Sequence, residues 1–158
     1  MILTQICQSA CIRVPLEAQD KTGAMHELLD VLDRNNLLPD KNAVVDAVFK
    51  REQTRSTGIG FGIAVPHGKC QGITQSVMSW GLAREPIDFD SIDGKPVHII
   101  FMLVSPTDQT GPHIQALARI SRLALDEAFM TQWIQSACAD EAYALLQDKE
   151  RELDGLTV

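Results

Sequence analysis

Two of the four histidines in this 158-residue chain stand beside Pro and Gly, in "AVPHG" around His67 and "GPHIQ" around His113. In open α/β domains, functional groups gather where strands end and helices begin, and both segments read as such ends. The other two read as structural. His26 sits in a helical segment beside Glu27 and is expected on the surface. His98 sits in the apolar run "VHIIFML" and is expected in the core or at its rim. Upstream of His67 come the basic pair of "KRE" (Lys50 to Glu52), then Arg55 and three alternate glycines, Gly58, Gly60 and Gly62.

Several chemistries fit these residue types poorly. The glycines are not spaced G-x-G-x-x-G and no helix follows them to hold a pyrophosphate, nor does a Gly-Lys-Ser/Thr follow as a phosphate loop needs. His67 and Cys70, with His113 in reserve, offer no third spaced metal ligand, and the four cysteines show no C-x-x-C. Cys70 lacks a supporting helix for a thiol nucleophile, and no serine stands in a G-x-S-x-G context. A neutral imidazole, however, is itself a nucleophile, and a pKa near ~6.5 also makes it a good leaving group. That combination suits a carrier that accepts a phosphoryl group and gives it up again. The protein then supplies position and charge. An arginine fork and a second imidazole would serve, which makes Arg51, Arg55 and His113 the candidates around His67.

The elements that must position these groups can be read from periodicity. Residues 1–9 form a turn of helix leading into a short strand, "ACIRVPL". Met25, Leu28, Leu29 and Leu32 repeat at helical spacing up to Asn35-Asn36, and a second helix opens at Asp40 with the stripe Val44, Val45, Val48 and Phe49. "GIAVPHG" reads as a short buried strand stopped by Pro66. "TQSVMSWGLA" is a strand, and "REPIDFDSIDGKP" reads as polar turns. "VHIIFMLVSP" is continuously apolar, so it is expected to be buried on both faces. Three helices follow: "GPHIQALARISRLAL" with Pro112 near its start, "DEAFMTQWIQSA" and "ADEAYALLQDKERE". The order predicts a single α/β layered domain over 1–158 with a mixed central β-sheet flanked by helices on both faces, a core over about 3–150, and a frayed tail at 151–158. Within it, the glycines are expected to bend the backbone so that another group can come close to His67.

Composition narrows the partners. A net charge of −7 and only 5% aromatic residues argue against a nucleic-acid binder, which needs a basic face and stacking rings. The start lacks a signal-peptide pattern and no run approaches eighteen apolar residues, so a cytoplasmic protein with free thiols and no membrane insertion is expected.

From Glu52 through "TRSTGIGFGIAVPHG" the chain resembles the signature of the type-2 IIA domains of the bacterial phosphoenolpyruvate-dependent phosphotransferase system, the fructose, mannitol and nitrogen-regulatory group. "PIDFDSIDGKPVHIIFMLVSP" followed by "PHIQALARISRL" is similar to the family's second half. The resemblance implies a mixed sheet flanked by helices. It implies His67 as the histidine phosphorylated on Nε2, His113 as the second active-site histidine, and Arg51 as the arginine that contacts the phosphoryl group. It implies HPr or its nitrogen-branch counterpart as donor, a separate IIB cysteine or a regulated protein as acceptor or partner, and no cofactor. "STGIG" is closer to the nitrogen-regulatory and fructose subgroups than to the mannitol one. No linked IIB, HPr-like or membrane portion is evident, so a stand-alone IIA is expected. The alternative is a binding module of the same fold that signals by association without onward transfer.

Overall fold

The computed structural model describes residues 3–155. Its centre is a hairpin of two long strands, β5 (Val77–Ile87) and β6 (Val97–Pro106), paired antiparallel from Val77↔Val104 to Ile87↔Val97. β1 (Ile12–Arg13) lies parallel to β5 on one side. On the other side β3 (Ile63–Ala64) and β4 (His67–Cys70) both lie parallel to β6, and β2 (Gly58–Gly60) closes the edge antiparallel to β3. The result is the expected mixed sheet, and β6 inside it is buried at every position except half-buried His98.

Strand alternation assigns the two faces. Ser79 of β5 donates to the Leu28 carbonyl of α2 (Lys21–Arg34), so that face carries α2. Its neighbour Trp80 points the other way and packs with Phe101 of β6 and Trp133 of α5 (Glu127–Trp133), at ring-centroid distances of 5.9 and 4.9 Å. The two long helices ahead of the hairpin begin where short acceptors allow. Asp20 caps α2 by accepting from Gly23 N–H, and Asp40 caps α3 (Lys41–Thr54) by accepting from Ala43 N–H. Val44 and Val48 form the buried stripe of α3. α4 (Thr110–Ala124) and α6 (Ala139–Leu153) complete the order, with the short α1 (Leu3–Ile6) and a 3₁₀ turn at Ser9–Cys11 ahead of β1.

Three expectations change. β5 runs on through "REPI", a segment expected to turn. A register shift between Leu82 and Ile87 absorbs Pro86 and leaves Arg84 and Glu85 exposed. Pro66 does not stop a strand. β3 pairs Ile63 with Ile99 and β4 pairs His67 with Leu103, the same offset, so the two pieces are one strand with a gap at Val65-Pro66. Pro66 forfeits a donor, yet its carbonyl still accepts from Leu103 N–H at 3.1 Å. α6 continues to Leu153, into the tail expected to fray, whose residues 156–158 lie outside the described residues.

Candidate functional site

His67 opens β4 just after that gap, half-buried, and its ring turns back on the backbone. Its Nδ1 lies 2.7 Å from the Val65 carbonyl oxygen. A carbonyl can only accept, so Nδ1 carries the proton and Nε2 carries a free lone pair. Desolvation pulls its pKa below the ordinary histidine value. The Val65 hydrogen bond opposes this, and the nearby Arg51 and Lys69 charges add to it. The ring is therefore held neutral and nucleophilic at Nε2.

His113 sits in the first turn of α4, 4% exposed, with its ring centroid 5.2 Å from that of His67 and the planes at 59°. Its Nδ1 lies 2.7 Å from Ser105 Oγ at the end of β6. Desolvation first, then the His67 and Lys69 charges, push its pKa down to about 4. Two neutral imidazoles thus face one another across the end of the sheet, brought together by the β4–β6 pairing and the turn from β6 into α4.

The third expected residue, Arg51, lines a cleft of about 290 Å³ with His67, Arg55, Ser56, Thr57, Ile59 and others, while Nη1 donates to the Arg55 carbonyl at 3.0 Å. Arg55 is exposed at the same rim. Gly68 explains how α3 comes so near. A Cβ there would lie 3.1 Å from Val48 Cγ2 and 3.3 Å from Val48 N, so only a bare backbone lets the helix pack this close to β4. Arg51 is one turn beyond Val48. Glu52 next to it is 6% exposed and accepts from Thr57 N–H (2.9 Å) and Thr57 Oγ1–H (2.5 Å). It also pairs with Lys21 at 3.0 Å, tying the end of α3 to the start of β2.

The glycines serve a different end from the one expected. Gly60, Phe61 and Gly62 all have positive φ and make the turn of the β2–β3 hairpin. The close approach is to Gly58, and the approaching group is Ser91 of the same chain. A Cβ on Gly58 would lie 2.2 Å from Ser91 Oγ and 2.9 Å from Ser91 Cα. The nearest neighbours of Gly60 and Gly62 are Asp93 and His98. The glycines fit the hairpin against the 91–98 segment, and His67 is not among their close neighbours.

Reading residues singly missed Lys69, Ser105, Ser76 and Thr110. Lys69 lies two residues beyond His67 on the same face of β4, and its Nζ donates to Thr110 Oγ1 at 3.0 Å, joining β4 to the start of α4. The signal was the spacing, hidden by ending the strand at Pro66. Ser105 Oγ lies 2.9 Å from Ser76 Oγ. A hydroxyl inside an otherwise apolar run was the only sequence cue. Of the remaining histidines, His26 is exposed and packs on Phe49, and His98 lines a separate cleft with Phe61 and Glu127. Cys70 falls on the opposite face of β4 from His67. Among the described residues no group of three or more His, Cys, Asp or Glu could hold a metal ion, and no helix is long and apolar enough to cross a membrane.

Residues 5–149 match the family described as "Phosphoenolpyruvate-dependent sugar phosphotransferase system, EIIA 2". The chain belongs to the EIIA 2 family. This EIIA is 29% identical over 151 residues to the fructose-specific EIIABC component of Bacillus subtilis, covering 96% of this chain but only 24% of that longer protein. Its structure is similar to that of the nitrogen regulatory protein IIA-Ntr from Neisseria meningitidis, with a TM-score of 0.82 and 32% identity over 90% of this chain and 97% of that one. It also shares its fold with Escherichia coli enzyme IIAMTL, solved in complex with phosphorylated enzyme IIBMTL (TM-score 0.75, 19% identity, 89% and 96% of the two chains).

Proposed function

We propose that this EIIA is a phosphoryl carrier that takes the group on His67 from phosphorylated HPr or its nitrogen-branch counterpart. It then passes the group to a IIB cysteine, or uses its phosphorylation state to regulate a partner. The observation that carries the reading is the His67 hydrogen bond to Val65, which leaves the Nε2 lone pair free beside a second imidazole. In the transfer, that lone pair forms a bond to phosphorus while the donor's N–P bond breaks, and its electron pair returns to the donor imidazole. The proton stays on Nδ1, donated to the Val65 carbonyl throughout, so the step needs no proton relay. Arg51 and His113 act on the phosphoryl oxygens, where a charged hydrogen bond is worth roughly 1.5–3 kcal/mol.

The surroundings favour a protein partner. Ile92, 64% exposed, lines the His67 cleft with Ile59 and Leu117, and Ile114, 58% exposed, follows His113 in α4. Apolar groups around a basic centre of Arg51, Arg55 and Lys69 suit docking by a protein surface that carries phosphate. This basic patch lies within a chain of net charge −7. As a carrier fed by HPr, this EIIA works in the cytoplasm on this reading.

Incubation with phosphorylated HPr or the nitrogen-branch protein is expected to add one phosphoryl mass to the wild type and none to His67→Ala. A labelled His67→Ala product would refute the assignment. In the same assay Arg51→Ala is expected to accept the group about ten- to a hundredfold more slowly. His113→Ala is expected to accept it and hand it on poorly.

A further inference from the structure

Behind His113 lies a pair of hydroxyls for which the transfer step above has no use. Ser105 ends β6 fully buried, with Oγ 2.7 Å from His113 Nδ1. Ser76, at the mouth of β5 and 5% exposed, lies 2.9 Å from Ser105 Oγ. Each hydroxyl brings one proton, and a buried proton needs an acceptor. One direction places both hydroxyl protons and leaves the ring proton at Nε2 for an incoming group: Ser76 donates to Ser105, and Ser105 donates to His113 Nδ1. In the reverse direction Nδ1–H would donate to Ser105 and Ser105 to Ser76, and the Ser76 proton would then have no acceptor among the described residues.

We propose that Ser105, aimed by Ser76, is a positioning residue that holds His113 in the tautomer with its proton on Nε2. The inference rests on the carrier reading above and deepens it. The two facing imidazoles then hold opposite tautomers for a local reason. His67 is backed by a carbonyl, which can only accept, and so presents a lone pair at Nε2. His113 is backed by a hydroxyl that donates, and so presents N–H at Nε2. One ring carries the electron pair to phosphorus and the other a hydrogen bond to a phosphoryl oxygen. Burial keeps His113 neutral, so a donor at Nε2 cannot come from the doubly protonated ring at neutral pH. The tautomer is what supplies it. With the opposite tautomer, His113 would turn a second lone pair toward an anionic group.

¹⁵N NMR of the histidine rings in the full unphosphorylated chain at pH 7.5 reads the tautomers directly. The wild type is expected to show His113 protonated on Nε2 and His67 protonated on Nδ1. Ser105→Ala is expected to move His113 toward the Nδ1-protonated form and leave the His67 signals alone. It is also expected to slow onward transfer of the phosphoryl group from His67 by roughly five- to tenfold, the same step that His113→Ala impairs. Ser105→Thr, which keeps the hydroxyl, is expected to restore both. Ser76→Ala leaves Ser105 in place and is expected to shift the His113 nitrogens in the same direction, so it serves as the second test if Ser105→Ala is unstable. A wild-type His113 protonated on Nδ1 overturns the proposal, as does a Ser105→Ala or Ser76→Ala protein with the wild-type tautomer and rate. A wild type that never takes up the phosphoryl group, with the expected NMR tautomers, overturns the carrier reading instead.

Discussion

Each imidazole in the pair is kept from its charged form by its surroundings, and this has a measurable consequence at the residue scale. Unfolded, His113 takes up a proton near its ordinary pKa of 6.5. In the folded site it does so only near 4. Between those values the unfolded chain binds more protons, so stability rises with pH across the window. The contribution is fully present above about 6.5 and is lost as pH falls toward 4. His67 is shifted the same way. From pH 7 to pH 5 the loss through His113 comes to about 2 kcal/mol. Urea midpoints at the two pH values are expected to fall further in the wild type than in His113→Gln. Equal declines would show that the ring is not held neutral.

At the scale of elements, the site depends on backbones that come close together. β3 and β4 keep one register against β6 across Pro66, which is how His67 lands opposite Leu103 and near the start of α4. The hairpin beside it is held by Gly58 against Ser91. Because one blocking atom is the Ser91 backbone, a side chain at 58 cannot be accommodated by a rotamer change alone. Gly58→Ala is expected to cost about 1–3 kcal/mol. It is also expected to shift the amide signals of residues 89–94 while leaving the α2 signals in place. A variant as stable as the wild type would mean that the loop moves freely.

At the scale of the molecule, the two ends of the chain are joined at one carboxylate. Glu150 of α6, 1% exposed, accepts from the Leu3 and Thr4 N–H groups at 2.6 and 2.9 Å, which caps α1. Arg119 of α4 lies 3.9 Å away and pairs with Asp154 at 2.5 Å. The helix that carries His113 is thereby tied to both the first and the last helix. Glu150→Gln keeps the shape but turns an amide donor toward backbone donors, at an expected cost of roughly 1–3 kcal/mol. Hydrogen exchange is expected to show lost protection at Leu3 and Thr4 ahead of the sheet. Unchanged protection there would refute the tie.

The amino-acid sequence by itself determined the mixed α/β architecture, the helix order and the candidates His67, His113, Arg51 and Arg55, among which only the family resemblance points to Arg51. These follow from local rules: apolar periodicity in Met25 to Leu32, acceptor side chains at Asp20 and Asp40, and a long apolar run at β6. Only the tertiary structure decided what lies against what. That Pro66 interrupts a strand without ending it depends on β6 supplying the register on its far side. That Gly58 meets Ser91 and Gly68 meets Val48 depends on contacts 33 and 20 residues apart along the chain, which no local pattern encodes. The tautomers are the sharpest case. His67 backs onto a carbonyl only two residues before it, but the hydroxyls behind His113 are gathered from the ends of β5 and β6, and in the proposed mechanism that difference separates the nucleophile from the donor.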